Sequence, residues 1–274
     1  MTNSDLRVLV LGAHPDDAEY HSGGLLSYYS QRGATLRLVS VTNGGAGHHQ
    51  MDSSELVSRR RQEAAEAGRT IGAEYLTWDY PDGLLEPTLD LRLDIIREIR
   101  TFQPDLLLTH RSCDYHPDHR AVGQVVQDAS YMVTVPLILP ETPALAHDPV
   151  VAYMPDTFSR PAPLRADVVL PIDDYLDSIV QMLACHESQF FEFLPHNMHF
   201  DPPLPDDRDT RVDWLRQHYC QMLEQRRDRF DQQLVDQYGA DAAAEIRYIE
   251  VFEISEYARS LDQPLRRTLF PFTT

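Results

Sequence analysis

The stretch Val8–Gly24, VLVLGAHPDDAEYHSGG, decides the fold. Val8 to Leu11 form an apolar run without polar alternation, the pattern of a strand buried on both faces. Gly12-Ala13 ends the run, and His14, Pro15, Asp16 and Asp17 follow at once. Helix-type sequence, GGLLSYYSQRG, then runs to a stop at Gly33. Two adjacent carboxylates at the end of a buried strand repel each other. Something positive must offset them: an arginine, the start of a helix, or a metal ion.

Outward from this stretch, strand-like and helix-like segments keep alternating. TLRLVSVTN (35–43) is β-branched and apolar, a second strand. SSELVSRRRQEAAEAGRTIG (53–72) is helical, AEYLTWDY (73–80) is a short strand, and PDG (81–83) is a turn. Leu91, Ile95, Ile96 and Ile99 form one helical stripe that stops at Pro104. DLLLTH (105–110) is a second buried strand, and HPDHRAVGQVVQDASYM (116–132) opens a helix with Pro117 in its first turn. This order predicts an α/β, Rossmann-like fold: a mostly parallel sheet with helices on both faces and a C-terminal elaboration. In such sheets ligands bind at the carboxyl ends of the strands. Both His-Pro-Asp clusters follow strand ends.

The second half is less regular. Residues 139–149 and 154–167 read as Pro-rich loops around one strand, VVAYM. Leu176, Ile179, Val180 and Leu183 have helical spacing. Residues 191–209 read as irregular and are expected to shape the substrate entrance. Residues 210–238 read as one long amphipathic helix lined by Val212, Leu215, Tyr219, Met222 and Leu223, and 245–255 as a strand. No clean compositional break divides the 274 residues, so a single domain over 1–274 is expected, with a core over 1–135 carrying the site and an elaboration over 136–274.

Bulk properties exclude several classes of function. A net charge of −19 argues against nucleic acid and against an anionic membrane surface. No apolar run is long enough to span a membrane, and the N-terminus lacks the pattern of a signal peptide. Three scattered cysteines, Cys113, Cys185 and Cys220, fit a reducing cytoplasm. The acidic surface and apolar helix faces permit a homo-oligomer.

Taken alone, PDD reads as a turn or helix cap. His14 and Asp17, however, are three apart and can point the same way from a first helical turn. A histidine nitrogen and a carboxylate oxygen make two of the three protein ligands that a catalytic zinc site needs. Tyr115-His116-Pro117-Asp118-His119 repeats the spacing after the second strand. Neighbouring strands lie about 5 Å apart, so ligands from the two clusters can converge on one divalent ion. That ion would offset the carboxylate repulsion. TNGGAG (42–47) lacks the order of a dinucleotide fingerprint and reads as a flexible active-site loop.

The sequence resembles the LmbE/PIG-L-like zinc-dependent N-acetylglucosaminyl deacetylases. The resemblance rests on AHPDD (13–17), TNGGAG, the helix pattern Arg60, Glu63, Ala67, Ile71-Gly72, PDG, and HPDHRAV (116–122), with a weaker match at HESQ (186–189). It implies that His14, Asp17 and His119 bind Zn2+, a donor set that also accepts Fe2+. It further implies Asp16 as general base, His116 as oxyanion stabiliser or general acid, and Asp118 as the group that holds His116. Arg60 and Asp82 would contact sugar hydroxyls. The implied activity is a metal-dependent amidohydrolase: removal of an acetyl or other acyl group from an amino-sugar or related small-molecule amide. The alternative is a catalytically inactive metal- or sugar-binding module. A phosphoesterase is disfavoured because it needs more bridging carboxylates. His186 reads as a buried core histidine. His48 and His49 read as solvated loop residues, and Glu19 is given no catalytic role.

Overall fold

The computed structural model describes residues 6–200, 204 and 207–272. Its strands are β1 (Arg7–Gly12), β2 (Thr35–Thr42), β3 (Glu74–Tyr80), β4 (Leu106–Thr109), β5 (Val150–Tyr153), β6 (Val168–Pro171) and β7 (Ile249–Ile254). The first four helices are α1 (Asp17–Ser30), α2 (Ser53–Thr70), α3 (Leu89–Phe102) and α4 (Pro117–Ala129). The later ones are α5 (Leu176–Leu183), α6 (Leu194–Asn197), α7 (Arg208–Arg229), α8 (Asp231–Tyr238), α9 (Ala240–Glu245) and α10 (Gln263–Leu269).

The seven strands form one sheet in the order β3-β2-β1-β4-β5-β7-β6. The first five are parallel, and β7 runs antiparallel to both its neighbours. The mostly parallel α/β expectation therefore holds. Alternation along each strand feeds two cores. Val8, Val10, Leu106 and Leu108 face one layer with residues of α1, α5 and α7. Leu9, Leu11 and Leu107 face the other with residues of α3 and α4. Because β1 pairs directly with β4, with Leu11 opposite Thr109, the two His-Pro-Asp clusters leave adjacent strand ends.

The second half differs from its sequence reading in three places. β6 follows directly on the 154–167 stretch read as loop, at residues the sequence reading left unassigned; it is a short edge strand that depends on β7 for its pairing. Part of the segment read as irregular is helical: Ser188–Phe193 forms a wide turn of π type that passes into α6. The rest of that segment includes 201–203 and 205–206, outside the described residues. The long helix breaks at Phe230, whose buried ring packs with Leu234 and Val251 and turns the chain into α8.

In TNGGAG, two of the three glycines are set by close packing. Gly44 has φ +67, and a Cβ there would come within 2.9 Å of the Arg60 guanidinium carbon. A Cβ on Gly45 would meet Ser53 and Val57 at 2.7 Å.

Candidate metal centre

β1 ends at Gly12, and α1 begins only five residues later. The connection is tight enough that Asp16 takes φ 123, in the left-handed region. This turn aims His14 and Asp17 at the same point. Asp17 Oδ2 accepts the His14 backbone N–H at 2.7 Å, which closes the turn. From β4, the loop 110–116 leads to α4, whose first turn carries His119 inward. A Cβ on Gly123 would lie 2.6 Å from the His110 carbonyl oxygen, so α4 can sit this close to the end of β4 only with glycine there.

His14 Nδ1 lies 3.2 Å from His119 Nε2. Asp17 offers Oδ2 at 3.5 Å to His14 Nδ1 and Oδ1 at 3.3 Å to His119 Nε2. The three residues expected as ligands are thus brought together. Each imidazole has its far nitrogen against a carboxylate. His14 Nε2 meets Asp118 Oδ2 at 3.2 Å and Asp82 Oδ1 at 3.3 Å. Asp114 Oδ1 lies 3.2 Å from His119 Nδ1, off the direction of its ring N–H. Carboxylates in that position orient metal-binding histidines and fix which nitrogen offers its lone pair. Two imidazole nitrogens and a carboxylate converging beside an open cavity suit a divalent cation with a free coordination position.

The protonation energetics agree. Burial works against charge on His14, yet Asp118, Asp17 and Asp82 hold its pKa well above the usual value. His119 is likewise pushed up to about 9, against burial, by Asp17 and Asp114. Asp17 stays well below the carboxylate range despite burial, because His119 and His110 face it. The site thus favours positive charge among its carboxylates.

Asp16 is held differently. Burial pushes its carboxyl up to about 6, against the pull of Arg60, whose Nη2 donates to Asp16 Oδ2 at 3.0 Å. Arg60 is 3% exposed and also donates to the carbonyls of Pro15 (2.6 Å) and Gly44 (3.2 Å). Its guanidinium is therefore engaged in fixing the Asp16 turn. Asp82 is engaged too: Oδ2 accepts the Ala46 N–H at 3.0 Å while Oδ1 faces His14.

His116 caps α4, with Nδ1 accepting the backbone N–H of Asp118 at 3.2 Å. A neutral His116 then carries its proton on Nε2, and burial with His14 and His119 nearby lowers its pKa and favours that form. Asp118 meets His116 through this backbone N–H, while its carboxylate oxygens are turned elsewhere. Those oxygens accept the N–H groups of Gly83 (2.7 Å) and Leu85 (3.1 Å) and face His14. The reason is steric: as the second residue of α4, Asp118 projects toward the β3–α3 loop, and only its backbone reaches His116.

The sequence reading missed His110, a buried residue whose ring stacks on His119 with centroids 3.9 Å apart and whose Nε2 lies 3.1 Å from Asp17. No motif spacing marks it, although its place at the end of β4 was a signal. His186 is fully buried against Glu19 (3.1 Å), as a core histidine should be. Glu19 also accepts from Tyr75 O–H (3.3 Å), and Tyr75 in turn accepts the Asp16 N–H (3.2 Å). His48 pairs with Glu192 at 3.0 Å, and His49 stacks on His196. The His/Asp cluster opens on a cavity of about 950 Å³ lined also by Tyr20, Tyr115, Phe190, Phe193, Arg226 and Phe230.

Fold and site together define a Rossmann-like α/β protein with a candidate His/Asp metal centre at the ends of β1 and β4. Residues 9–130 match the protein family described as PIG-L: GlcNAc-PI de-N-acetylase. Over that region the chain is similar to the family that its sequence resembles. Among curated relatives, 4-oxalmesaconate hydratase of Pseudomonas putida is 23% identical over 197 residues, 69% of this chain and 76% of the relative. Diacetylchitobiose deacetylase of Thermococcus kodakarensis is 24% identical over 196 residues, 69% and 72% of the two chains. Among solved structures, the 4-carboxy-2-hydroxymuconate hydratase of Pseudomonas putida superposes with TM-score 0.72 at 19% identity, covering 94% of this chain and 99% of that one. At that identity the likeness speaks for the fold alone. Among the described residues, no helix is long and apolar enough to cross a membrane.

Proposed function

We propose that this protein is a metal-dependent N-deacylase that hydrolyses the acetyl amide of an amino-sugar or related small molecule. One observation carries the reading: His14 and His119, 105 positions apart, meet at 3.2 Å on Asp17, beside Asp16 and His116. His14 Nδ1, Asp17 and His119 Nε2 would hold the ion, and zinc and iron(II) both suit these donors. When bound, such an ion lowers the pKa of a water and polarises an amide carbonyl. Asp16, with a carboxyl near pH 6, is ionised in neutral solution and accepts the proton of the attacking water. Arg60 keeps that carboxylate aimed at the cavity. His116 Nε2–H donates to the negative charge that develops on the carbonyl oxygen. With the water oxygen bonded to the carbonyl carbon, the C–N bond breaks and the amine leaves with the proton that Asp16 took; His116 could supply that proton only from its doubly protonated form. Arg60 and Asp82 line the same cavity and are the proposed contacts for sugar hydroxyls. We read the chain as one domain, with 1–135 supplying the metal centre and 136–274 supplying the far wall of the pocket. Three unpaired cysteines are in keeping with the cytoplasm.

The test measures bound metal and amine release from N-acetylglucosamine and its simple conjugates, for the native protein and Asp16→Asn. About one ion per chain and turnover that falls in Asp16→Asn support the reading. Metal without turnover across a broad amide panel would leave the inactive binding module.

A second reading has a specific observation behind it, the hydratase relative matched over 76% of its length. The same ion, base and donor could add water across a carbon–carbon double bond. Loss of a conjugated alkene's ultraviolet absorbance, with no amine released from any amide, would favour it.

A further inference from the structure

Arg226 stands in the cavity wall with no carboxylate of the described residues against it. It is 8% exposed and lines the cavity. Its Nη1 reaches the Ile249 carbonyl at 3.4 Å, and its Nη2 lies 3.3 Å from Met222 Sδ. Among the described residues no carboxylate oxygen comes within 4.0 Å of it. A guanidinium carries five N–H donors, and burying it half-used is costly.

The other buried arginines are each held by three or more oxygens. Arg60 holds Asp16 and two carbonyls. Arg111 makes a two-pronged bond to Asp156 at 2.6 Å. Arg100 donates to the carbonyls of Met132, Val133, Val135, Ile138, Leu139 and Thr142. Arg60 Nε is unpartnered as well, but among the described residues only Arg226 of these four has a single oxygen partner, the Ile249 carbonyl. It also breaks the pattern of its helix: Leu215, Tyr219 and Leu223 bury one side of α7, and Arg226 takes the next inward position. A solvating role would have placed it outward.

Glu250 is the acid whose charge Arg226 feels, but it is committed elsewhere. Its oxygens accept the N–H groups of Gly24 (2.7 Å) and Leu25 (2.8 Å), where α1 kinks at Ser22. Burial pushes its pKa up to about 7, so it is a weak counter-ion at neutral pH. Arg229, one turn further along α7, also lines the cavity and is tied to the Thr157 carbonyl at 2.5 Å. Two arginines in one pocket wall run against the −19 charge of the chain.

We propose that Arg226, with Arg229 at the rim, binds a carboxylate carried by the part of the substrate that is not cleaved. A carboxylate matches the planar fork of one guanidinium and carries a single charge. A phosphate would ask for more donors than this wall supplies. The proposal deepens the deacylase reading by naming the substrate's second half, and it rests on that reading only for what the carboxylate is attached to.

The test therefore separates binding from turnover. Succinate and the uncharged succinamide are titrated by calorimetry into protein freed of metal by chelation and dialysis, so that a failed enzyme assay does not decide the result. Native protein should bind succinate and not succinamide. Arg226→Gln should weaken succinate by about 10-fold to 100-fold, the range for a lost charged hydrogen bond. Arg226→Lys should restore part of this, and Arg229→Gln should cost less than Arg226→Gln. Equal succinate affinity in native protein and Arg226→Gln, or equal binding of both probes, overturns the subsite. Should Arg226→Gln not fold, the comparison of Arg226→Lys and Arg229→Gln with native protein decides: weakening in both supports the subsite, and none in either overturns it. In a kinetic arm, KM for an N-acetylglucosaminide with a carboxylate aglycone should rise in Arg229→Gln while that for the neutral methyl glycoside stays put. No turnover of either glycoside counts against the deacylase reading alone.

Discussion

At the residue scale, the site depends on a few side chains with distinct and separable jobs. Removing a proposed ligand, as in His14→Ala or Asp17→Ala, should abolish retention of metal through dialysis, read by elemental analysis; full retention would show that the ion sits elsewhere. Asp16→Asn keeps the size of the side chain and its place beside Arg60 but removes the base. It should lower kcat by about 10²- to 10⁴-fold with metal content unchanged. Asp118→Ala acts at one remove. It strips the partner of His14 Nε2 and the acceptor for Gly83 and Leu85. Metal affinity should fall by about 10- to 100-fold, measured by competition with a chelator. His14, Asp17 and His119 were readable because a fixed spacing of three recurs after two strands. His110 was not, because its contacts with His119 and Asp17 are made across the sheet rather than along the chain.

At the element scale, the close seat of α4 on the end of β4 determines where His119 points. Gly123 makes that seat possible, since a Cβ would meet backbone atoms of His110 and Arg111 at 2.6–2.8 Å. Gly123→Val should cost about 1–3 kcal/mol by overpacking. It should also loosen metal binding, because α4 must shift and carry His119 with it. A lower Tm with unchanged metal affinity would disconnect the helix seat from the site. β1, β2, β4 and helices α1 to α4 could be read from periodicity and stop signals, since each buries a face set by its own sequence. β6 could not, because four residues at a sheet edge gain their stability from β7. The break between α7 and α8 was equally hidden, since Phe230 ends the helix by packing into a core built from distant chain.

At the scale of the whole molecule, Glu250 ties the last strand to the first helix from inside the protein. Burial raises its pKa from the ordinary 4.5 to about 7. Between those values the folded chain keeps a proton that the unfolded chain has lost. By linkage, this carboxyl's contribution to stability is greatest below pH 4.5, declines as pH rises toward 7, and is level above it. Glu250→Gln should remove that decline. Urea melts at pH 5 and pH 8 should show a smaller loss between the two for the variant than for native protein, and identical losses would rule out Glu250 as the source.

The sequence by itself determined the parallel α/β core, the two strand ends that meet, and the three side chains most suited to a metal. Each of these is encoded locally, by apolar runs and by a repeated spacing. Tertiary structure alone decided that Asp118 serves His14, that Arg60 is tied to Asp16, and that Arg226 turns inward beside the cavity. Those outcomes depend on which groups compete for the same few donors and acceptors once water is excluded, and that competition is settled only when distant segments pack.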